Sequence, residues 1–577
     1  MPSARRLLLP AGCAALVLAA GGSAFALPSY WLFLATSAVI TAILARSVGL
    51  VTGQAGMISL CQLSFAAVGA WVVTRLSLAD VSLPFLLTLG AGGLAAVPFG
   101  VLVGLPALRL RGIHLAVVTL GFASAADVYL RVKGFPREGF STAVAAPAPF
   151  DDPRIYFELC LGAFVLVVGL LALAGRSRVG ASWLAVRHSE RATAAMGMSV
   201  PRVKLTAFAT SAFIAGLSGS LLTFQVGLVT PENFAPLGSL VTFAVAVMTA
   251  AQYVEGAVLA GLLVAFTPEL LRRLGLPLDI GDMLFAVGAV DVLRRGSGGI
   301  AAQERALLRR LAARRSQRRA RTVAPDTAVR SMRPSPVPGG TAPPALEVRG
   351  LEVRFGEVVA LGGVDVCVPA RAIHGLIGPN GAGKTTLVDA VTGFVRVSRG
   401  SVAVAGSRLD GVPVAGRARA GVRRTFQQDR TVPDLFVGDY VRLASGRRLG
   451  SAETRALLGF LGCPSADELV GALDVGTRRL IEVAGALAAQ PALLLLDEPA
   501  AGLTEAESAE LATRVAAIPG RFGCSVLLIE HDMAHVAAAC SEVVVLDFGR
   551  QIARGGPADV LGHPDVVAAY LGQEIAV

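Results

Sequence analysis

The chain has 577 residues, of which 54 % are hydrophobic and only 16 % charged, with a mean hydropathy of +0.64. Soluble globular chains carry about 25 % charged residues, so these averages require segments buried in a bilayer. They exclude a disordered chain, a collagen-like chain and a wholly soluble enzyme. The 52 Lys and Arg against 41 Asp and Glu leave +11, a sign compatible with nucleic acid but equally with the cytoplasmic loops of a membrane protein. Seven cysteines are scattered with no CxxC pair, so neither a disulfide framework nor a zinc site is indicated.

Arg5 and Arg6 precede an apolar run, Leu7 to Leu27, that ends near Ala24-Phe25-Ala26. The ending looks like a signal-peptide cleavage site. The run is nevertheless long enough to span a bilayer and is followed by more apolar segments, so an uncleaved first helix is expected. Further spans are expected at about 31–50, 52–74, 83–107, 113–131, 156–174, 204–228, 237–252, 254–271 and 278–293, making about ten in residues 1–296. An even count puts both termini on one side. Arg5/Arg6, Arg109/Arg111, the Arg176–Lys204 segment and Arg294/Arg295 make that side the cytoplasm, while Arg131, Lys133, Arg272 and Arg273 dissent.

Three features of this polytopic α-helical half bear on function. GLVTGQAGMISLCQLSFAAVGAW (49–71) mixes Gln54, Gln62 and several glycines into a span. Broken helices that line a substrate route tolerate such residues, and close helix packing explains the glycines equally well. Asp127 lies inside the 113–131 span, where an acid is a functional candidate, yet near enough to its end to reach water. The segment between Arg176 and Lys204 is polar and helix-prone, and reads as an ordinary loop or as a helix that docks on a soluble partner.

Residues 297–344 carry ERALLRRLAARRSQRRAR and then RPSPVPGGTAPP. The first piece is expected to be a basic helix against anionic lipid headgroups, and not a nucleic-acid binder. The second is expected to be a flexible tether.

From 345 to 577 the chain reads as a soluble α/β domain. AIHGLI (372–377) is a short apolar strand, followed by GPNGAGKTT (378–386) and a helical run, the P-loop pattern in its required strand–loop–helix context. Gly378, Asn380, Gly381, Gly383 and Thr386 form the phosphate cradle. Lys384 reaches the β/γ-phosphates, and Thr385 supplies a hydroxyl to Mg²⁺. Of three lysines in the chain, Lys384 is the only one in this half. LLLLDEP (493–499) is a buried strand ending in two acids: Asp497 to hold Mg²⁺ and Glu498 to act as general base on the attacking water. SVLLIEHD (525–532) repeats strand and polar tip, and places His531 near the γ-phosphate.

These motifs together resemble the ABC-type ATPases over 346–577. The resemblance implies that Phe355 stacks on adenine and that Gln427, in RTFQQ, links Mg²⁺ and the attacking water to the membrane partner. AGLT (501–504) and LDVGTRRLIEVAGAL (473–487) stand where that family's D-loop and signature helix stand. EPAAGL, LLIEHDM and VVAAYLG are similar to the ATPases of branched-chain amino acid importers. LRLRGIHLAVVTLGFA (108–123), the 176–204 loop and VGLVTPENF (226–234) are similar to their permeases. By resemblance, Glu190, Ala194 and Gly197 belong to the coupling segment that meets the ATPase beside the Gln427 loop.

Two departures stand out. Asp474 replaces the signature serine, with only Gly476 of that motif clearly kept, and the Gln427–Leu473 stretch is short for the family. The resemblance implies ATP and Mg²⁺ as cofactors and import of branched-chain or related amino acids across a bacterial cytoplasmic membrane. It also implies a separate extracytoplasmic binding protein, a second ATPase and a second permease. An ABC exporter half-molecule and a membrane-tethered regulatory ATPase remain as rival readings.

Overall fold

A computed structural model describes residues 27–79, 83–135, 144–296, 298–305, 343–501, 503–531 and 533–571. The first expected span and most of the basic linker lie outside them. The described residues fall into two compact units, divided at Trp183 and again after Val200: Leu184–Val200 belongs with the C-terminal residues and not with the helices that flank it.

The first unit is helical. Its long helices are Ser29–Val48, Gln62–Leu78, Phe85–Gly104, Ile113–Lys133, Pro153–Arg176, Val200–Val226, Pro236–Thr249, Val254–Arg273 and Asp279–Arg295, so each of the nine later spans expected from hydropathy carries one. Seven helical stretches are long and apolar enough to cross a membrane, among the described residues. Gln62–Leu78 is apolar but shorter. Asp279–Arg295, 17 residues with acids in its first turn and arginines in its last, is not among the seven, so the expected span 278–293 is a helix without the length of a crossing. Proline fixes several starts: Pro153 and Pro236 are the first helical residues, where the missing N–H costs nothing. The Asp152 carboxylate caps its helix by accepting from the Arg154 amide. On Phe85–Gly104 the small residues Gly92, Gly93, Ala96 and Gly100 are buried, while Leu86, Leu87 and Leu94 stay exposed, the division expected of one packed face and one lipid face.

The expected span 52–74 is not one helix. Ser29–Val48 runs on through a π-helical turn, Gly49–Gln54, the chain then leaves helical geometry, and helix resumes only at Gln62. The break has two causes. A Cβ on Gly49 would lie 2.3 Å from the Ala251 carbonyl carbon, and one on Gly53 2.5 Å from Gln252 Cβ, so these glycines are sites of close backbone packing. The break also lets buried polar groups satisfy one another. Gln62 Oε1 accepts from Ser47 and Ser211 at 3.2 Å each, and Gln62 Nε2 donates to Ser59 at 3.0 Å.

The strands of the second unit, in chain order, are β1 (Leu346–Phe355), β2 (Val358–Val368), β3 (Ile373–Ile377), β4 (Arg399–Val404), β5 (Ser407–Arg408), β6 (Val422–Arg424), β7 (Leu493–Asp497), β8 (Ser525–Ile529), β9 (Glu542–Asp547) and β10 (Arg550–Gly555). They form two sheets. One is antiparallel, with the order β2-β1-β4-β5; the other has the order β10-β9-β3-β8-β7-β6. Strands β6, β7, β8, β3 and β9 are parallel, and β3, β7 and β8 are buried along their whole length, as continuous apolar runs in a covered parallel sheet should be.

The Gly49 contact is testable. Gly49→Val should destabilise the protein by about 1–3 kcal/mol or more, while Gly90→Ala, whose added carbon meets nothing within 4 Å, should leave the thermal midpoint in detergent unchanged or higher. Equal midpoints for the two variants would contradict the packing role.

Candidate functional site

Parallel register brings the candidate chemistry to one edge. Leu376 on β3 is level with Ile529 on β8, and Ile529 with Asp497 on β7, so the loops that follow all leave at the carboxyl end of the sheet, where α/β folds bind ligands. The first loop is the P-loop. Gly378 sits at φ +149, where a Cβ would lie only 2.1 Å from the Leu546 carbonyl oxygen; no other residue type fits there. Lys384 opens the Lys384–Thr392 helix and donates to the carbonyls of Gly378 at 2.5 Å and Pro379 at 2.9 Å, which folds the loop around its ammonium. Burial lowers the Lys384 pKa, opposed by the nearby Glu498 and Asp497 charges. Asn380, Gly381 and Thr385 face solvent, and Gly383 and Thr386 are half-buried. Phe355 ends β1, opposite Val358 in a hairpin, with its ring about half exposed.

The three expected catalytic residues do meet. Glu498 Oε1 lies 2.8 Å from His531 Nε2, and Glu498 Oε2 accepts from Gln427 Nε2 at 2.9 Å. Glu498 holds a left-handed backbone, φ +48, an unfavourable conformation for a side chain with a Cβ that persists only when the surroundings impose it. They do: its amide donates to the Ile529 carbonyl at 2.9 Å, and its own carbonyl accepts from Arg479 Nη1 at 2.7 Å. Arg479 also donates to the Gln427 carbonyl at 2.5 Å, so one guanidinium ties the two loops together. The sequence reading missed Arg479.

Asp497 is buried at the tip of β7. Its Oδ2 accepts from Arg424 Nη2 at 2.9 Å, and burial raises its pKa against the pull of that guanidinium. The donors expected for Mg²⁺ are oxygens: the Thr385 hydroxyl, the Asp497 carboxylate and the Gln427 amide, a hard set that suits the ion. No group of three or more His, Cys, Asp and Glu forms a metal cage among the described residues. The oxygen donors named above fit the ion by their chemistry.

The 184–200 segment lies against this half of the unit. Ala192 and Ala195 pack with Phe426 and Phe394. His188 Nε2 is 3.2 Å from Asp434, Arg430 donates to Ser189 Oγ at 3.1 Å, and Arg423 donates to the Ala195 carbonyl at 2.9 Å. Glu190 opens the Glu190–Ala195 helix, capped by Ser189, and Gly197 turns at φ +86 beside Arg419 and Arg423. Ala194 belongs to the same helix.

The altered signature residue has a local task. Asp474 is the N-cap of Val475–Ala488: it accepts from the Thr477 amide at 2.8 Å and the Thr477 hydroxyl at 2.6 Å, and these bonds lower its pKa. Gly476 is buried beside Leu503. On the same helix Glu482, unremarked in the sequence, is buried and accepts from the Phe426 amide at 3.2 Å.

Of the residues expected on a substrate route, Gln62 and Asp127 are held in separate bonding sets. Gln62 is bonded to three serines, as above. Asp127 pairs with Arg131 at 2.9 Å near the end of its helix, and Arg131 reaches Glu232 at 3.1 Å. Gln54 ends the π-helical turn.

Burial pushes the Glu482 carboxyl up to about 8. The folded chain therefore keeps a proton that the unfolded chain sheds above its ordinary value of 4.5, and stability falls as pH rises between those values. Glu482→Gln keeps the acceptor for Phe426 and removes the charge. It should raise the thermal midpoint at pH 8 relative to the parent, with a smaller gain at pH 6; a gain that does not depend on pH would contradict a buried, protonated Glu482.

Residues 30–288 match the permease component of branched-chain amino acid transport systems, 361–501 the ABC transporter ATPase family, and 550–576 the branched-chain amino acid ATP-binding cassette transporter family. The high-affinity branched-chain amino acid transport ATP-binding protein BraF of Pseudomonas aeruginosa is 35 % identical over 254 residues, covering 40 % of this chain and 98 % of that protein. LivG of Escherichia coli, of the same description, is 34 % identical over 254 residues with the same two coverages. The zinc import ATP-binding protein ZnuC of Alkalilimnicola ehrlichii is 39 % identical over 236 residues, covering 40 % of this chain and 86 % of that protein.

Proposed function

This chain belongs to the branched-chain amino acid ABC transporters, as a membrane permease continuous with an ATP-binding, ATP-hydrolysing cassette, and we propose that it drives import of branched-chain or related hydrophobic amino acids across a bacterial cytoplasmic membrane. The observation that carries the reading is the permease match over 30–288 in the same chain as a complete phosphate-handling edge. The cassette alone does not name a cargo, since a zinc import relative matches it as well.

The P-loop residues Gly378, Asn380, Gly381, Gly383, Lys384 and Thr386 cradle the phosphates, and Phe355 stacks on the base. Thr385, Asp497 and Gln427 would hold Mg²⁺, which when bound neutralises charge on the phosphate oxygens. Glu498 takes the proton of the attacking water, with His531 and Gln427 fixing its carboxylate from either side. Closure of two cassettes around nucleotide moves the segment bearing Glu190, Ala194 and Gly197, and so switches the side from which the permease is open. Gln54, Gln62 and Asp127 remain the proposed polar landmarks of the substrate route. Both termini lie in the cytoplasm.

Glu498→Gln should bind ATP with near-parent affinity yet lose steady-state hydrolysis by about 10²–10⁴-fold, because the base is gone and the cradle remains. Hydrolysis at the parent rate would sink the assignment.

The working assembly includes an extracytoplasmic binding protein, a second permease and a second, different ATPase. The family's signature serine faces the γ-phosphate held by the partner cassette, and here a carboxylate stands in that position, where like charge opposes closure. Two copies of this chain would place Asp474 at both composite sites; a partner with an intact signature leaves one site competent. Mass measurement of the intact complex is expected to show two different cassettes. An active transporter with two copies of this chain as its only cassettes would refute this.

A further inference from the structure

Four charged side chains form an unbroken line from the Glu190–Ala195 helix to the tip of β7. Arg191 Nη2 is 2.6 Å from Asp389 Oδ2. Asp389 Oδ1 pairs with Arg424 Nη1. Arg424 Nη2 is 2.9 Å from Asp497 Oδ2. Asp389 lies on the helix that Lys384 opens, and Arg424 ends β6 just before the Gln427 loop. Arg424 is the most enclosed member, with 3 % of its side chain exposed, against 12 % for Asp389 and 8 % for Asp497; Arg191, at 46 %, is the member that reaches the surface. Two aromatic rings line the path. Arg191 sits 4.6 Å over Phe394, and Arg424 lies 4.7 Å over Phe426 and 5.9 Å over Phe394.

This arrangement makes the partners compete. A guanidinium so enclosed must keep acceptors around it, and Arg424 divides itself between two carboxylates, one nitrogen on each. Asp389 likewise divides itself between two guanidiniums, one oxygen on each. When Asp497 is given over to a cation, Arg424 loses that partner and turns its full charge to Asp389, whose hold on Arg191 then weakens. Conversely, Arg191 seated on Asp389 leaves Arg424 more fully on Asp497. We propose that Arg424 is a positioning residue that sets docking of the Glu190–Ala195 helix against cation binding at Asp497, through Asp389. The proposal rests on the reading of Asp497 as a cation ligand and of 184–200 as the coupling segment. By linkage the antagonism is reciprocal: whatever docking costs the cation, the cation costs docking.

The test uses the full chain carrying Glu498→Gln, in lipid nanodiscs with ATP equimolar to the cassette so that little free nucleotide chelates the metal. It is titrated with Mn²⁺ in place of Mg²⁺ and read by the electron paramagnetic resonance signal of free aqueous Mn²⁺ against a protein-free ATP blank. Arg191→Ala should tighten Mn²⁺ by about 2- to 5-fold, the size expected for loss of one partly exposed ion pair. Arg191→Glu should tighten it at least as much, and Arg191→Lys should restore most of the parent affinity. In an Asp389→Asn background Arg191→Ala should add nothing further. Unchanged Mn²⁺ affinity in both Arg191→Ala and Arg191→Glu would overturn the relay, as would an equal effect of Arg191→Ala with and without Asp389. Asp497→Asn separates this failure from failure of the underlying reading: if it leaves Mn²⁺ affinity at the parent value, the ligand assignment falls and takes the relay with it, whereas a weakened Asp497→Asn with silent Arg191 variants removes the relay alone.

Discussion

The site depends on the register of three buried parallel strands. Leu376, Ile529 and Asp497 stand level across β3, β8 and β7, and everything chemical in the second unit leaves the sheet just beyond that line. A slip of one residue would turn each strand's side chains to the opposite face. It would also carry Asp497 and Glu498 away from the Lys384 loop and from His531. The leucine, isoleucine and valine runs that fix the register therefore also fix where Asp497, Glu498 and His531 converge on the Lys384 loop. The geometry of this edge is a by-product of apolar packing in a covered sheet.

How far this was legible in the sequence follows from how local each function is. A phosphate cradle is built from consecutive backbone amides, so GPNGAGKTT declares itself in nine letters, and the acids after LLLL and the histidine after SVLLIE are legible because each stands at the tip of a strand. Arg424, Asp389, Arg479 and Glu482 were not singled out, because their roles arise only where separate elements cross. A trace of Arg424 did exist: VRR is a fully buried three-residue strand, and arginine in a buried strand must find acceptors, carboxylate or carbonyl. Which acceptors, the sequence alone does not say: Arg423 takes a backbone carbonyl and Arg424 two carboxylates. Asp474 shows the converse. Its identity marked a departure from the family pattern, but its task as a helix cap depends on a dihedral angle that only the fold supplies.

The membrane half gave a similar division. Hydropathy averaged over a window locates the helices, since the nine later segments all carry one, but it overcounts the crossings: seven helical stretches have the length and apolarity to span, among the described residues. The same averaging passes over a break such as that between Gln54 and Gln62, because the residues in the break are themselves apolar or small; the glutamines and glycines of 49–71 are what pointed to a broken helix there. What interrupts the helix is a close approach to Ala251 and Gln252 and a set of hydroxyls around Gln62, both formed with residues distant in sequence. Elsewhere in this unit buried cations are likewise answered by backbone: Arg46 donates to the Ala251 carbonyl at 2.8 Å and Lys204 to the Ala107 carbonyl at 2.8 Å. Helix ends and turns, whose carbonyls lack helical partners, are natural acceptors for such side chains.

Arginine has replaced lysine throughout the soluble half except at Lys384, and that one amine is buried with a lowered pKa. Guanidinium groups stay protonated and do not act as nucleophiles. An acylating reagent directed at side-chain amines therefore meets one target in the whole cassette, and that target holds a larger share of its uncharged, reactive form near neutrality than an ordinary lysine does. Its modification would occupy the Lys384 loop itself, so the yield of this one adduct, resolved from those at Lys133 and Lys204 of the membrane half, reports on whether nucleotide fills the site.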